Sequence, residues 1–155
     1  MTFAAATGAI VVASAVGSLF LWNLSASLPR GLYRAEPGRA PSRGAVVAFE
    51  PAPLAAALII ERGYLPRGAL LLKTVVALPG DHVCIGDAFW VNGRLIGWVP
   101  TRDSSGRRLD PYRFCGTVSP GFAFVATPAQ LSFDSRYFGP LPLHSLTPAR
   151  PLWTF

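Results

Sequence analysis

The longest apolar stretch of the chain lies at its beginning. Residues 3–22 contain no charged side chain and are long enough to cross a bilayer as an α-helix. Trp22 ends the stretch, and amphipathic aromatic side chains concentrate at membrane interfaces. We therefore predict a transmembrane anchor, or an uncleaved signal, over residues 1–22 and a separate body over residues 23–155.

Two other interpretations of this stretch remain open. Residues 13–15 (Ala-Ser-Ala) form a small-x-small sequence of the kind found at signal-peptide cleavage sites, but residues 1–3 carry no basic side chain ahead of the apolar run. A buried core helix is the other interpretation, and the length of the run disfavours it. Arg30 and Arg34 follow the run, and by themselves they favour a cytoplasmic body.

Beyond the apolar stretch, the pattern is that of a β-rich body. Residues 23–44 are rich in Ser, Pro, Gly and Arg and predict turns and short extended pieces. One helix is predicted over residues 51–62, with prolines near its start and Gly63 just past its end. The Asn92-Gly93 pair predicts a tight hairpin. Apolar β-type runs predict strands at about 45–49, 69–78, 82–86, 88–92, 94–99 and 121–126. The fold class is therefore mainly β, with an antiparallel body and one short helix.

Composition sets few further limits on function. The 155 residues fit one domain, and the net charge of +6 is spread along the chain. The basic side chains are densest over residues 101–108, which we interpret as a solvated loop, with anionic lipid as one surface it could contact. No nucleic-acid module with stacked aromatic side chains accompanies them, so we expect no nucleic-acid partner. Nothing in the sequence indicates a metal ion or another cofactor.

Lys73 is the most informative single residue. It is the only lysine among 14 lysine and arginine residues, and it lies within the apolar run Leu70–Leu78. Unlike arginine, a desolvated lysine can lose its proton near neutral pH and act as a base. The alternative is a lysine at a strand edge whose ammonium group extends to water.

Three segments combine into a more specific pattern. Residues 23–33 read Asn-Leu-Ser-Ala-Ser-Leu-Pro-Arg-Gly-Leu-Tyr, residues 72–81 read Leu-Lys-Thr-Val-Val-Ala-Leu-Pro-Gly-Asp, and residues 132–140 read Ser-Phe-Asp-Ser-Arg-Tyr-Phe-Gly-Pro. In this order, behind an apolar stretch, they resemble the type I signal peptidases, which are membrane-anchored Ser/Lys proteases. The first and last segments resemble the conjugative-transfer branch, the TraF-type peptidases that mature plasmid pilin.

The resemblance implies a role for three residues in catalysis. Ser27 matches the nucleophile and Lys73 the general base, and Ser-Lys pairs are an established variant of the catalytic triad. The oxyanion hole of the family consists of the backbone N–H of the nucleophile and a hydroxyl two residues earlier, which here are Ser27 and Ser25. Without the resemblance, Ser25 is more simply a turn serine bonded to its own backbone.

Three further residues match supporting positions of the family. Ser132 matches the residue that hydrogen-bonds the lysine and orients it. Asp134 and Arg136 match an acidic and basic pair near the site, and in this branch the aspartate is implicated in activity. Charge alone favours a structural Asp134–Arg136 pair.

The cysteines and histidines admit several interpretations. A cysteine nucleophile with His82 or His144, or a zinc site, has little support, because His82-x-Cys84 is not a recurring ligand spacing. We expect a disulfide between Cys84 and Cys115, which suits an oxidising compartment, and two free buried thiols are the alternative. The histidines are then structural or exposed.

The sequence and the resemblance together predict a membrane-anchored serine endopeptidase that processes an exported precursor, cutting after small residues. The substrate implied is a conjugative pilin, whose acyl-enzyme is resolved by water or by the pilin's own amino terminus, which gives a cyclic product. Ser27 follows Trp22 closely, which predicts a site near the membrane surface. The expected location is the inner membrane, with a single span and a periplasmic catalytic domain. A general type I signal peptidase and a non-catalytic membrane-anchored scaffold are the alternatives.

Overall fold

The computed structural model describes residues 19–155. The predicted transmembrane segment over residues 3–22 lies outside this range up to residue 18, and that part remains a prediction. Its end requires a correction, because Phe20–Asn23 form a strand, β1, instead of the last turn of a helix. Over the described range, no helix has both the length and the apolar character needed to span a bilayer.

The described chain is built mostly from short strands, with two short α-helices and one 3-10 turn at Leu143–Ser145. Helix α1 is Pro53–Glu61 and helix α2 is Ser135–Phe138. The strands that follow β1 are β2 Gly31–Ala35, β3 Val46–Phe49, β4 Leu71–Ala77, β5 His82–Ile85, β6 Ala88–Val91, β7 Arg94–Trp98, β8 Phe114–Thr117, β9 Phe122–Ala126, β10 Leu141–Pro142 and β11 Thr147–Thr154.

These strands form two antiparallel sheets. The larger has the order β1-β2-β11-β3-β4-β9-β10, and the smaller has the order β7-β6-β5-β8. Strand β11 pairs with β2 through its second half and with β3 through its first residues, with a register shift between Pro151 and Trp153. The last strand of the chain therefore holds the N-terminal strand pair against the centre of the larger sheet.

The predicted strands and the predicted helix are confirmed as β3, β4, β5, β6, β7, β9 and α1, each shorter than predicted by a few residues at most. The predicted hairpin joins β6 to β7, and Asn92 and Gly93 have positive φ angles of 49° and 77°. A type I′ turn needs positive φ at both central positions, which the Asn-Gly pair provides. The residues of strand β1 were predicted as the end of the apolar helix, and strands β2, β8, β10 and β11 were not predicted, because their residues do not form uninterrupted apolar or alternating runs.

Two of the buried clusters meet at strand β4. One lies under helix α1 and includes Ile59, Leu65, Leu71 and Val75. The other fills the space between the two sheets around Phe89 and Phe124, whose rings pack edge to face. Strand β4 contributes to both clusters, so its residues lie at the centre of the molecule.

Candidate active site

The segment after β1 is a tight turn organised by Asn23. This side chain is 1% exposed. Its Oδ1 accepts the Ser25 N–H at 3.0 Å, and its Nδ2 donates to the carbonyl oxygens of Ser25, Leu28 and Pro29 at 3.3, 3.3 and 3.0 Å. The amide group of Asn23 thus binds both ends of the turn. Tyr33, on β2, adds a hydrogen bond from its hydroxyl to the Pro29 carbonyl oxygen. The conformation of residues 25–29 is therefore fixed by side chains on β1 and β2.

Ser25 and Ser27 contact each other within this turn. Their hydroxyl oxygens lie 2.6 Å apart, and the Ser27 N–H donates to Ser25 Oγ at 3.1 Å. The two groups predicted to hold an oxyanion are thus bonded to each other in this structure. Both bonds must be exchanged before the Ser27 N–H and the Ser25 hydroxyl can bind the oxygen of a substrate.

Lys73 lies in the middle of β4, opposite Val47 of β3, and is 4% exposed. Its Nζ donates to Ser132 Oγ at 2.8 Å. Burial lowers the pKa of Lys73 from its ordinary 10.5 to about 8, with the charge of Asp134 opposing the shift and that of Arg136 adding to it. The strand-edge alternative with an ammonium group in water is therefore wrong.

Asp134 and Arg136 form a buried ion pair close enough to Lys73 to influence its pKa. Asp134 is 0% exposed and caps helix α2, where its Oδ1 accepts the Arg136 N–H at 3.1 Å and lies 3.2 Å from Arg136 Nε. Complete burial raises the pKa of the Asp134 carboxyl, against the opposing charges of Arg136 and Lys73. The pair is structural in its contacts, and it also sets the electrostatic environment of Lys73.

The guanidinium group of Arg136 binds the backbone of the neighbouring loop. It donates to the carbonyl oxygens of Thr127, Ala129 and Gln130. These residues connect β9 to Ser132, so the buried arginine fixes the loop that leads to the hydroxyl bonded by Lys73. A buried arginine needs partners for its donors, and these carbonyl oxygens serve Nη1 and Nη2, while the buried Nε has no hydrogen bond and lies beside the Asp134 carboxylate.

Ser25, Ser27, Lys73 and Ser132 line one cavity of about 430 Å³. Helix α1 and the segment after it contribute an apolar side of this cavity. The aliphatic and aromatic lining residues are Ile59, Tyr64, Leu65, Leu71, Leu109, Leu131, Phe133 and Tyr137. Ser27 and Lys73 share this cavity. Within residues 19–155, no hydrogen bond joins the two side chains directly.

The basic loop at residues 101–108 is also part of this cavity, which the sequence did not reveal. Asp103 lies at its centre with a side chain that is 5% exposed. It accepts hydrogen bonds from the Tyr64 hydroxyl at 2.6 Å and from Arg107 Nε at 2.8 Å, and Arg62 is 3.4 Å away. Burial favours a raised pKa for Asp103, but the bonds from Tyr64 and Arg107 outweigh it and lower the pKa below its usual range. The loop is solvated on one face and anchored on the other.

Asn23 and Asp103 organise the surroundings of the site, and no role was predicted for either from the sequence. For Asn23, its place two residues before Ser25 was a usable signal, because Asn side chains often bond the backbone two residues on. For Asp103 the same local signal indicates only a turn, in which its Oδ1 accepts the Ser105 N–H, whereas its partners Tyr64 and Arg62 lie about 40 positions earlier in the chain.

Cys84 and Cys115 face each other on β5 and β8 and form a disulfide. His82 lies beside them, and ligand atoms of the three residues lie within 4.8 Å of one another. The disulfide occupies both sulfur atoms. Neither cysteine lines the cavity that contains Ser27 and Lys73.

The site thus combines a buried lysine and a turn with two serines, all of which line one partly apolar cavity. Comparison with known proteins identifies the family. The family described as "Signal peptidase, peptidase S26" matches residues 1–150. The chain belongs to this family and is a peptidase.

Similar proteins include several conjugal transfer proteins. One named "Conjugal transfer protein TraF", from Agrobacterium fabrum, is 39% identical over 145 residues, which cover 86% of this chain and 81% of that protein. Another of the same name, from Agrobacterium tumefaciens, is 37% identical over 167 residues, covering 100% of this chain and 94% of that protein. A "Plasmid transfer protein TraF" from Escherichia coli is 35% identical over 149 residues, covering 86% and 82%.

Among solved structures, a crystal structure of a signal peptidase I from Enterococcus faecalis V583 is similar to this chain. The sequence identity is 25% and the TM-score is 0.41, and the match covers 70% of this chain and 94% of that chain.

Proposed function

We propose that this peptidase is a membrane-anchored serine endopeptidase in which Ser27 is the nucleophile and Lys73 the general base. The observation that carries the proposal is the environment of Lys73. The lone lysine of the chain is buried in the cavity that also contains Ser27, and its pKa is lowered to about 8. A lysine that serves only as a surface charge needs none of these features, whereas a general base needs all of them.

The mechanism uses the groups that share the cavity. When a peptide carbonyl enters the cavity, the hydrogen bond between the Ser27 and Ser25 hydroxyls breaks. The Ser27 hydroxyl gives its proton to neutral Lys73 while its oxygen attacks the carbonyl carbon. The oxyanion is held by the Ser27 N–H and the Ser25 hydroxyl, and the loss of one such donor typically costs roughly 2.7–4 kcal/mol in the barrier. Lys73 then transfers the proton to the leaving amine, and the acyl group remains on Ser27. Ser132 holds the Lys73 side chain in position throughout.

The substrate in this proposal is an exported precursor, and the process is pilin maturation in conjugation. Signal peptidases act on precursor proteins, and the similar proteins carry names from conjugal transfer. The apolar stretch over residues 3–22 supports an inner-membrane anchor, and the Cys84–Cys115 disulfide supports a periplasmic catalytic domain. The acyl-enzyme is resolved either by water or by the amino terminus of the same pilin.

The test uses the full-length protein in detergent, mixed with the pilin precursor encoded nearest its gene. Product masses are read by intact mass spectrometry. We expect cleavage by the wild type, and no cleavage by Ser27→Ala or by Lys73→Arg, because arginine keeps the positive charge and does not become a base. Ser42→Ala, at an exposed serine outside the cavity, is the matched control and should retain activity.

The masses also distinguish the fates of the acyl-enzyme. A product lighter by about one water than the linear mature pilin means cyclisation, and the linear mass means hydrolysis. Turnover at the wild-type rate by Ser27→Ala or by Lys73→Arg would contradict the proposed role of the replaced residue. Cleavage of unrelated secretory precursors but not of the pilin would favour the general signal peptidase. No cleavage of any precursor or small-x-small peptide would favour the scaffold.

The pH dependence of the reaction gives a second test. Neutral Lys73 is the active form, and its pKa is about 8. We therefore expect kcat/KM to rise about tenfold per pH unit below pH 8 and to level off above it. A kcat/KM profile that is flat from pH 6 to 9, measured with a fluorogenic peptide and detergent-solubilised protein, would contradict Lys73 as the base.

A further inference from the structure

The cavity has a charged wall opposite the serines, and one of its cations has no acidic partner. Arg102 is exposed and lines the cavity. Its Nη1 donates to the Gly106 carbonyl oxygen at 2.8 Å, which leaves most of the five N–H donors of the guanidinium group unused. Within residues 19–155, no carboxylate lies within ion-pair distance of this side chain.

The backbone that carries Arg102 is held in place. The Asp103 N–H donates to the Arg107 carbonyl oxygen and the Gly106 N–H donates to the Asp103 carbonyl oxygen, both at 2.9 Å, which closes a turn at the tip of the loop. The Asp103 carboxylate fastens this turn to Tyr64 and Arg62 next to helix α1. A fixed backbone with an exposed guanidinium group is prepared for binding, because little backbone entropy is lost when a ligand arrives.

The charges that line the cavity do not balance. Three arginine side chains, Arg62, Arg102 and Arg107, face one acidic side chain, Asp103. Arg62 and Arg107 already interact with that carboxylate. Within residues 19–155, Arg102 is thus the arginine of this wall without a carboxylate partner, and an arginine fork binds a carboxylate through two parallel hydrogen bonds.

We propose that Arg102 forms a subsite for a carboxylate of the precursor, either an acidic side chain or the carboxylate at a chain end, and that Asp103 is the positioning residue of this subsite. The proposal rests on the proposed function only in taking a peptide as the occupant of the cavity. The apolar side formed by Ile59, Leu65 and Leu71 contacts the intervening part of that peptide. The preferred sequence then combines small or apolar residues near the cut with an acidic group farther along the cavity.

The test measures binding to the Ser27→Ala protein, in which no turnover occurs. The probes are fluorescent decapeptides with an Ala-x-Ala sequence, in which a single Glu is moved through the other positions, each paired with the same peptide carrying Gln. A third set has no Glu and compares a free carboxylate at the chain end with an amide. We expect one Glu position, or the free chain end, to bind roughly 5- to 30-fold more tightly than its neutral counterpart, because the contact is a charged hydrogen bond at a partly exposed site.

Variants assign this preference to Arg102. Arg102→Gln should remove the preference, and Arg102→Glu should transfer it to the matching Lys peptide. Arg108→Gln is the matched control: Arg108 is on the same loop, its side chain is 82% exposed beside Asp110, and it does not line the cavity. It should retain the full preference, because it changes the overall charge by the same amount.

Asp103→Asn tests the positioning role. We expect the Glu preference to weaken while the affinity for the neutral peptides changes little. Loss of affinity for all peptides alike would make Asp103 merely structural and would remove that part of the proposal.

The outcomes separate this proposal from the proposed function. No carboxylate preference for any peptide, including no binding at all, would overturn the subsite, as would an equal loss of preference in Arg102→Gln and Arg108→Gln. If the wild type cleaves the peptides without such a preference, the subsite is wrong and the endopeptidase stands. If Glu peptides bind through Arg102 and the wild type cleaves none of them or the pilin precursor, the subsite stands and the endopeptidase is wrong.

Discussion

Burial of Lys73 changes both its chemistry and its effect on stability. The ordinary pKa of 10.5 applies to the unfolded chain, and the folded value is about 8. Between these values the unfolded state binds more protons than the folded state, so the free energy of unfolding rises with pH across this window. Below pH 8 the charged lysine destabilises the fold by an amount on the order of 3 kcal/mol. Burial of Lys73 thus lowers the stability of the fold and brings the pKa of this side chain closer to neutral pH.

Lys73→Met is expected to raise the free energy of unfolding at pH 7 by about 1–3 kcal/mol, because it removes a buried charge and leaves only the Ser132 hydroxyl without its donor. The difference between wild type and variant should shrink between pH 8 and 10.5, as thermal unfolding at a series of pH values will show. Arg94→Met, at an exposed arginine, is the control for loss of a charge. Parallel pH curves for wild type and Lys73→Met would contradict the depressed pKa.

Asn23 acts at the same scale, on the geometry of Ser25 and Ser27. Asn23→Ala removes four hydrogen bonds from the turn, so we expect a loss of about 1–3 kcal/mol in unfolding free energy and a fall in kcat/KM at temperatures where the protein stays folded. Val83→Ala, in the smaller sheet and away from the cavity, is a control of similar destabilisation. An equal fall in kcat/KM in both variants would mean that stability alone is responsible.

Among the elements, the pairing of β2 with β11 depends on Gly31. Its φ is 144°, and a Cβ placed there would lie 2.0 Å from the Trp153 carbonyl oxygen. Because β2 also pairs with β1, a displacement at Gly31 reaches Asn23, its partner in that pairing. The turn that carries Ser25 and Ser27 is therefore connected to strand β11 through two strand pairings.

Gly31→Ala is expected to lower the free energy of unfolding by about 2–4 kcal/mol, because β11 must move away from β2. Gly38→Ala is the matched control, since Gly38 has a φ of 79° and open space around it, and it should lose only about 1 kcal/mol. Equal losses, measured by thermal unfolding, would show that backbone conformation matters at Gly31 and close approach does not.

At the scale of the whole molecule, Lys73 and the disulfide lie on different sheets. The larger sheet carries Lys73 on β4, and the turn with Ser25 and Ser27 leaves its edge strand β1. The smaller sheet carries the disulfide and packs against the back of β4 and β9 through Phe89 and Phe124. The disulfide therefore joins two strands that do not line the cavity, and the chain segment that it closes includes the loop over residues 101–108, which does.

Replacing both cysteines with serine tests this division. The bridge joins residues 31 positions apart, and its loss should lower the free energy of unfolding by about 2–4 kcal/mol. The kcat/KM well below the unfolding temperature should stay within about twofold of wild type, as a peptide cleavage assay will measure. A large loss of kcat/KM in protein that remains folded would show that the smaller sheet contributes to the site.

Features of this protein that depend on neighbouring residues could be predicted from the sequence alone. The strands from β3 to β7, the Asn92-Gly93 hairpin and helix α1 follow from local patterns of apolar residues and turn residues. The same patterns single out Lys73, because one lysine in an apolar strand differs from the thirteen arginines elsewhere. The proposed site residues lie in three short segments, and the resemblance of those segments to a family was enough to group them.

Contacts between distant parts of the chain arise only in the folded protein. The end of the apolar stretch forms β1 because β2 offers it a partner, and β11 exists because it closes the sheet between β2 and β3. The loop over residues 101–108 becomes a wall of the cavity because Asp103 meets Tyr64, which lies 39 positions earlier. The depressed pKa of Lys73 likewise depends on burial by several elements at once. Pairing, burial and charge environment are sums over residues far apart in sequence, so local patterns do not contain them.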